Sequence, residues 1–412
     1  MSAQSGQRFL DAVVFFRWWS QGQQRFNVWE RRKQFFVLAP FLVAGVLGRL
    51  WAQTGYRNPD FHAYLVVSQG VLDGENPYET GRYNYGPVWF LVMGTIRSVA
   101  YGADHFRLAL ALLFSVVDVA IALILWRKGY GLGAALFMLA PVGIAISGQH
   151  QQFDNMAILL ALVGGILATR SRAPEMSFSD LLALAFLGAS LMTKHIFLLL
   201  PLWIAYQQRG ALKRLVYLVI PGIVFLLSLA PFMYVNMSAV LDNVFFYQSF
   251  NNSPFLNHLL PEQMAARALD QGLGVILFLA LVAVLGLMYR RVSGIELVMV
   301  YAVTAVVFTS AIADQYLAIP LIAVTALLNL GYTVWLGWSS IYFLGNPETI
   351  SIPLLEPLHA FAFTTSGQTY QDLFLPLLAG WIIMSVALLR VGRGKSHQKH
   401  RSELSRPQAS SQ

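Results

Sequence analysis

The chain has 412 residues, 57% of them hydrophobic and only 12% charged, and it contains no cysteine. This balance excludes an ordinary soluble domain, and the missing thiols exclude any disulfide or thiolate metal site. The formal charge of +8 comes from 28 Lys and Arg against 20 Asp and Glu, but the cations sit in short segments between apolar runs and in the C-terminal tail, which is a topological pattern and not a nucleic-acid surface.

In chain order, residues 9–29 place Phe9, Leu10, Val13, Val14, Phe16, Trp18 and Trp19 among Arg8, Arg17 and Arg25. The pattern predicts an interfacial helix within a first segment, 1–33, lying on the cytoplasmic leaflet. Charged and bulky residues interrupt it and no small-residue cleavage site follows, so a cleavable signal is not expected.

Apolar runs then follow at 34–53, 106–126, 132–147, 155–169, 181–193, 196–206, 215–233, 272–289, 296–310, 315–328, 331–344 and 373–389. About 20 apolar residues are needed for a helix to cross roughly 30 Å of hydrocarbon, although several of these runs are shorter. The expectation is an all-α, polytopic transmembrane protein of about twelve spans. Basic clusters at 31–33, 127–128, Arg170 with Arg172, Arg209 with Lys213 and Arg214, 290–291 and 390–401 all fall on one side if the spans alternate. That side is read as cytoplasmic, with both termini inside. The membrane would be the plasma membrane in a prokaryote and the endoplasmic reticulum in a eukaryote. The tail, 392–412, is polar and basic and is expected to be disordered.

The opposite side carries the polar segments. The loop 55–105 opens with Asn58-Pro59-Asp60-Phe61-His62-Ala63-Tyr64, reads as an amphipathic helix over 61–72, turns through Arg82-Tyr83-Asn84-Tyr85-Gly86-Pro87, and continues as an interfacial helix over 87–99. Next comes Gly148-Gln149-His150-Gln151-Gln152-Phe153-Asp154-Asn155. Its bland reading is a helix cap by Asp154 and Asn155, but a cap has no need of Gln149, His150 and Gln152. At Met192-Thr193-Lys194-His195-Ile196-Phe197 a Lys-His pair stands where two apolar half-runs meet, either snorkelling to the interface or anchoring a phosphate. The segment 234–271 holds Asp242, Tyr247, Gln248, Asn251, Asn252, His258, Glu262 and Arg267, with Phe245, Phe246 and Phe250 as further aromatics. A last carboxylate, Asp314, sits at a span junction in Ala313-Asp314-Gln315-Tyr316. No dinucleotide fingerprint, P-loop or internal repeat is evident.

This order of motifs resembles the GT-C superfamily of membrane glycosyltransferases, which use polyprenyl-phosphate sugars. Asn58 to Tyr64 with Tyr83-Asn84-Tyr85-Gly86-Pro87 looks like the acidic first loop and Tyr-Pro turn of that superfamily. Lys194-His195-Ile196-Phe197 is similar to a segment of the dolichyl-phosphate-glucose glucosyltransferases, and Met192-Thr193-Lys194 to one in the aminoarabinose and protein-mannosyl branches. The 148–155 stretch is similar to Gly-His-Phe-Gln-Tyr-Asn of the glucosyltransferases, with Asp154 departing from it. The resemblance covers roughly the first 235 residues. It implies a catalytic membrane module at 34–235 and a variable membrane module at 236–391.

What the resemblance implies is inverting transfer of a hexose or pentose from a polyprenyl-phosphate donor to a hydroxyl of a lipid-linked, glycan or protein acceptor, among membrane lipids and without nucleic acid. Asp60 is the candidate general base. Lys194, His195 and Arg82 would hold the donor phosphate as it leaves. Gln149, His150, Asp154, Tyr85 and Asp314 would contact sugar or acceptor. No cofactor is required, but in a metal-dependent branch Asp60 and Asp154 would hold a divalent ion. A transporter or lipid flippase remains the alternative, with Asp118 as the one clear mid-span acid; a non-enzymatic scaffold is the third reading.

Overall fold

The computed structural model describes residues 3–170, 173–247, 252–292, 294–363 and 369–404, and its regular elements are all helical, with no strand among the described residues. Helix α1 (Ala3–Val28) leads into α2 (Arg31–Ala52), and the loop that follows folds as α3 (Pro59–Leu72), a 3-10 turn at Pro77–Thr80 and α4 (Pro87–Val99). Both helices expected in this loop are therefore present. Then come α5 (Gly102–Arg127), α6 (Gly131–Leu139), α7 (Pro141–Ile144), α8 (Asp154–Ala168), α9 (Phe178–Thr193), α10 (Leu200–Ala205) and α11 (Ala211–Val235). The second half comprises α12 (Met237–Val240), α13 (Pro254–Leu259), α14 (Glu262–Asp270), α15 (Leu273–Met288), α16 (Ile295–Val307), α17 (Leu321–Ala326), α18 (Leu330–Gly345), α19 (Glu356–Ala362) and α20 (Thr369–Leu404).

Among the described residues, four stretches are long and apolar enough to cross a membrane: α2, α5, α11 and Tyr370–Arg390 within α20. Two bent pairs, Gly131–Leu139 with Pro141–Gln149 and Glu262–Asp270 with Leu273–Met288, raise the number to six. The chain is thus a membrane protein by helix length and composition, but the expected twelve spans are not met by length. The remaining apolar runs do form helices, yet α8 and α9 have 15 and 16 residues and rise only about 23 Å, against roughly 30 Å of hydrocarbon. Helix α20 continues to Leu404, with Pro376 inside it. Residues 405–412, together with Arg172, Gln248, Phe250 and Asn251, lie outside the described residues.

One buried core runs from Leu38 to Met384, crossing the expected junction between the modules at 235 and 236. Contacts sort the helix ends into two groups. At the first end the Arg31 guanidinium lies over the Trp126 ring, Asn27 donates to the Gly129 carbonyl, and Gln208 donates to the Ala168 carbonyl. Lys213 there pairs with Asp180 at 2.9 Å and donates to the carbonyls of Ala173 and Glu175, while Gln207 donates to Val292 beside Arg290 and Arg291. Arg127, Lys128 and Arg170 border one cleft, so five of the six basic clusters, that of Arg170 taken without Arg172, gather at one end of the bundle. The polar segments gather at the other, where Gln152 donates to Asp60 and Gln149 to the Glu348 carbonyl. Helix α1 packs along the bundle, its Trp19 and Gln23 side chains donating to the Ala326 carbonyl at the end of α17.

Candidate active site

Asp60 is fixed by its own helix start. Asn58 is the N-cap of α3, its side-chain oxygen accepting from the Asp60 N–H, and Pro59 occupies the first turn with the φ that a helix needs. The carboxylate thus stands at the positive end of a helix dipole. Its Oδ2 accepts from Gln152 Nε2, and Gln152 Oε1 accepts in turn from the Tyr64 hydroxyl at 3.1 Å. This relay holds one oxygen and leaves Oδ1 outside it.

Lys194 is placed by the end of α9. It leaves the helix in extended conformation, φ −153° and ψ 125°, so the side chain turns away from the helix axis into the protein. Its ammonium reaches Asp154 Oδ1 at 2.7 Å, with only 2% and 1% of the two side chains exposed. It also lies 5.2 Å from the Tyr85 ring centroid, 5.1 Å from Phe153 and 5.3 Å from Tyr316. A cation held by one carboxylate and three ring faces is pre-set in a dry site. Asp154 Oδ2 is buried without a hydrogen-bond partner among the described residues.

The tyrosine turn closes over this pair. Tyr78 donates to the Tyr85 carbonyl, Tyr83 to the Gly86 carbonyl, and the Phe90 N–H donates to the Tyr83 hydroxyl. Gly86 is required here, because a Cβ would stand 2.2 Å from the Met192 carbonyl oxygen. Burial first, and the charge of Asp60 second, push the phenols of Tyr64 and Tyr85 well above their ordinary range. Both remain neutral, and the Tyr64 hydroxyl donates to Gln152.

The structure brings together most of the sequence-derived residues. Asp60 acts electrostatically on Tyr64, Tyr85, His150, Asp154 and Tyr316, so these share one neighbourhood. Asp154 and Asn155 are not caps: Phe153 is the N-cap of α8, Asp154 pairs with Lys194, and Asn155 donates to Asp118 Oδ1 and Ser147. Asp314 accepts from Tyr342 at 3.0 Å and Tyr370 at 2.7 Å, and its charge reaches His150, whose ring packs edge-on against Phe343. Arg82 stands apart. It is exposed on the turn, its N–H bonded to the Thr80 hydroxyl, while Lys194 and Asp60 are engaged with Asp154 and Gln152.

His195 points a different way from its neighbour, lining an apolar cavity of about 500 Å³ formed by α11, α15, α16 and the segment before α17. Phe225, Phe278, Tyr301 and Tyr316 are among its walls. Tyr316 therefore belongs both to this cavity and to the ring of aromatics around Lys194. Sequence reasoning gave Tyr316 no role, although it lies two residues after Asp314.

A second omission is Arg49. Fully buried in α2, it pairs with Asp118 at 2.6 Å and donates to the carbonyls of Gly45 and Met138. An arginine inside an apolar run, together with a lone acid in another, was the available signal. As for metals, Asp60 and Asp154 are two carboxylates within electrostatic reach, but among the described residues no group of three or more His, Asp or Glu could hold an ion.

No protein-family model matches the chain, and neither the curated proteins nor the solved structures provide a match.

Proposed function

We propose that the chain is an integral membrane glycosyltransferase of GT-C type. It moves a hexose or pentose from a polyprenyl-phosphate donor to an acceptor hydroxyl, at the bundle end opposite the basic clusters. The observation that carries this reading is Tyr316, which is shared between the apolar cavity and the Lys194 site. A lipid tail in the cavity would bring its phosphate to His195 and Lys194 at the cavity's polar edge. A buried cation there stabilises the charge that develops on the departing phosphate.

Asp60 then serves as base. Gln152 holds Oδ2, leaving Oδ1 to take the acceptor proton as its oxygen attacks the anomeric carbon opposite the phosphate, with inversion. Asp154, through its unpartnered Oδ2, and His150 would orient sugar hydroxyls. The reading requires no metal; in a metal-dependent branch Asp60 and Asp154 would supply two ligands and the rest would come from substrate or water. In this proposal the shorter helices complete about twelve crossings, with the basic end in the cytoplasm together with both termini.

The test is mass spectrometry of the purified protein incubated with a panel of polyprenyl-phosphate sugars. Consumption of one donor, lost in Asp60→Asn, is expected; donors left intact across the panel would overturn the reading. A transporter or flippase is the second reading, favoured by the Arg49–Asp118 pair buried next to the bent stretch 131–149. Passage of labelled solute without a covalent product would support it instead.

A further inference from the structure

Helices α5 and α8 run in the same direction, and their C-terminal ends enclose a cleft of about 200 Å³ at the basic end of the bundle. Its floor is apolar, with Ile124 from α5 and Val163 and Ile166 from α8; its rim is Arg127, Lys128 and Arg170, all exposed. None of the three cations forms an ion pair among the described residues. Glu296, the acid that Tyr130 brings to this end of the bundle, is engaged by the Tyr130 hydroxyl at 2.8 Å. Two helix C-termini contribute roughly half a negative charge each, which leaves the rim strongly positive against three full cations.

Orientation signals alone would scatter cations over helix ends without shaping a place for a ligand. Here a second feature accompanies them. Val116, exposed, and Ala120 and Ile124, half-exposed, follow one another at four-residue spacing along α5 and lead to Lys128, with Val116 about 18 Å from Lys128 along the helix axis, roughly the depth of one leaflet. An apolar stripe that faces lipid thus leads directly into the cationic rim. Ile166 and Arg170 repeat the apolar-then-basic step on α8.

We propose that this cleft binds the headgroup of one anionic phospholipid from the leaflet on the basic side. Its phosphate bridges Arg127, Lys128 and Arg170, and an acyl chain lies along the Ile124–Ala120–Val116 row. The proposal rests on the basic end lying at headgroup level and is independent of the sugar-transfer reading. Basic pockets between helices hold such headgroups through charge and apolar contact together.

The experiment is native mass spectrometry of the full chain in neutral detergent, titrated with dioleoyl phosphatidylglycerol or dioleoyl phosphatidylcholine. One phosphatidylglycerol is expected to bind ahead of all others. The triple variant Arg127→Gln, Lys128→Gln, Arg170→Gln should weaken it roughly tenfold or more, because each substitution withdraws one cation from the anionic headgroup. A control that removes the same charge elsewhere at this end, Arg32→Gln, Lys33→Gln, Arg209→Gln, should retain it. Should the triple variant fold poorly, Lys128→Gln and Arg170→Gln singly are each expected to give a several-fold loss. Equal affinity for the two lipids, or equal losses in cleft and control variants, would overturn the proposal.

Discussion

Lys194 donates to Asp154 across 2.7 Å, and both side chains are almost wholly removed from solvent. Each neutralises a charge that the interior could not hold alone. Removal of one partner strands the other, so Lys194→Met and Asp154→Leu are each expected to cost about 3 to 5 kcal/mol of stability. The double variant should recover much of that, while sugar transfer stays absent in all three. Thermal unfolding in detergent checks the first part and a donor-consumption assay the second; a double variant no more stable than either single one would contradict the pairing.

Asp60 makes a different kind of prediction, because it is only half-buried and is held through one oxygen. Asp60→Asn preserves its shape and should leave membrane insertion and melting temperature near those of the parent chain. Turnover should fall by about 10² to 10⁴, the usual worth of a general base. Unchanged turnover would remove Asp60 from the mechanism.

Two glycines predict opposite signs. Gly86→Ala would drive a Cβ into the Met192 carbonyl, a backbone atom that cannot swing aside, and should lower both stability and the hold of Tyr85 on Lys194. Gly337→Ala lies in the interior of α18 with nothing within 4 Å, and should stabilise by about 0.5 to 1 kcal/mol. Paired melting curves read both, and a neutral Gly86→Ala would mean that the turn does not sit on the end of α9.

His150 carries a pH dependence. Burial holds its imidazole below the ordinary range, against the opposing pull of Asp314 and Asp60. Folding therefore favours the neutral ring: there is no penalty above about pH 6.5, and stability is lost as pH falls from there through the lowered folded value. The melting temperature should drop on acidification from about pH 7.5 to about 5, and His150→Gln should reduce that drop. Parallel curves for the two proteins would assign the acid sensitivity elsewhere.

The twelve apolar runs, the two helices of the first loop and the gathering of basic clusters were legible because each is a local pattern of hydropathy or charge. Span count was less so, since a broken helix such as 131–149 and a short one such as α8 carry the same hydropathy as a full crossing. Within the site, Asp60 and Asp154 stood out in polar stretches between apolar runs, and Lys194 as a cation where two apolar half-runs meet. What stayed hidden was partnership. That Lys194 would spend its charge on Asp154, that Asp314 would be claimed by Tyr342 and Tyr370, and that Arg49 would find Asp118 are matters of packing between distant segments, for which the sequence carries no periodic signal.

Helices α8 and α9 both reach the Asp154–Lys194 pair from the basic end, and each is about 23 Å long. If that end is level with one membrane surface, the pair lies several ångströms short of the other, below the depth at which a carrier's phosphate normally rests. On the proposed sugar transfer, the bilayer must then be pinched around this face, or the donor phosphate drawn inward past its own headgroup plane. Either way, thicker membranes should slow the proposed transfer, and acyl-chain length becomes a control on turnover that no substitution in the site would mimic.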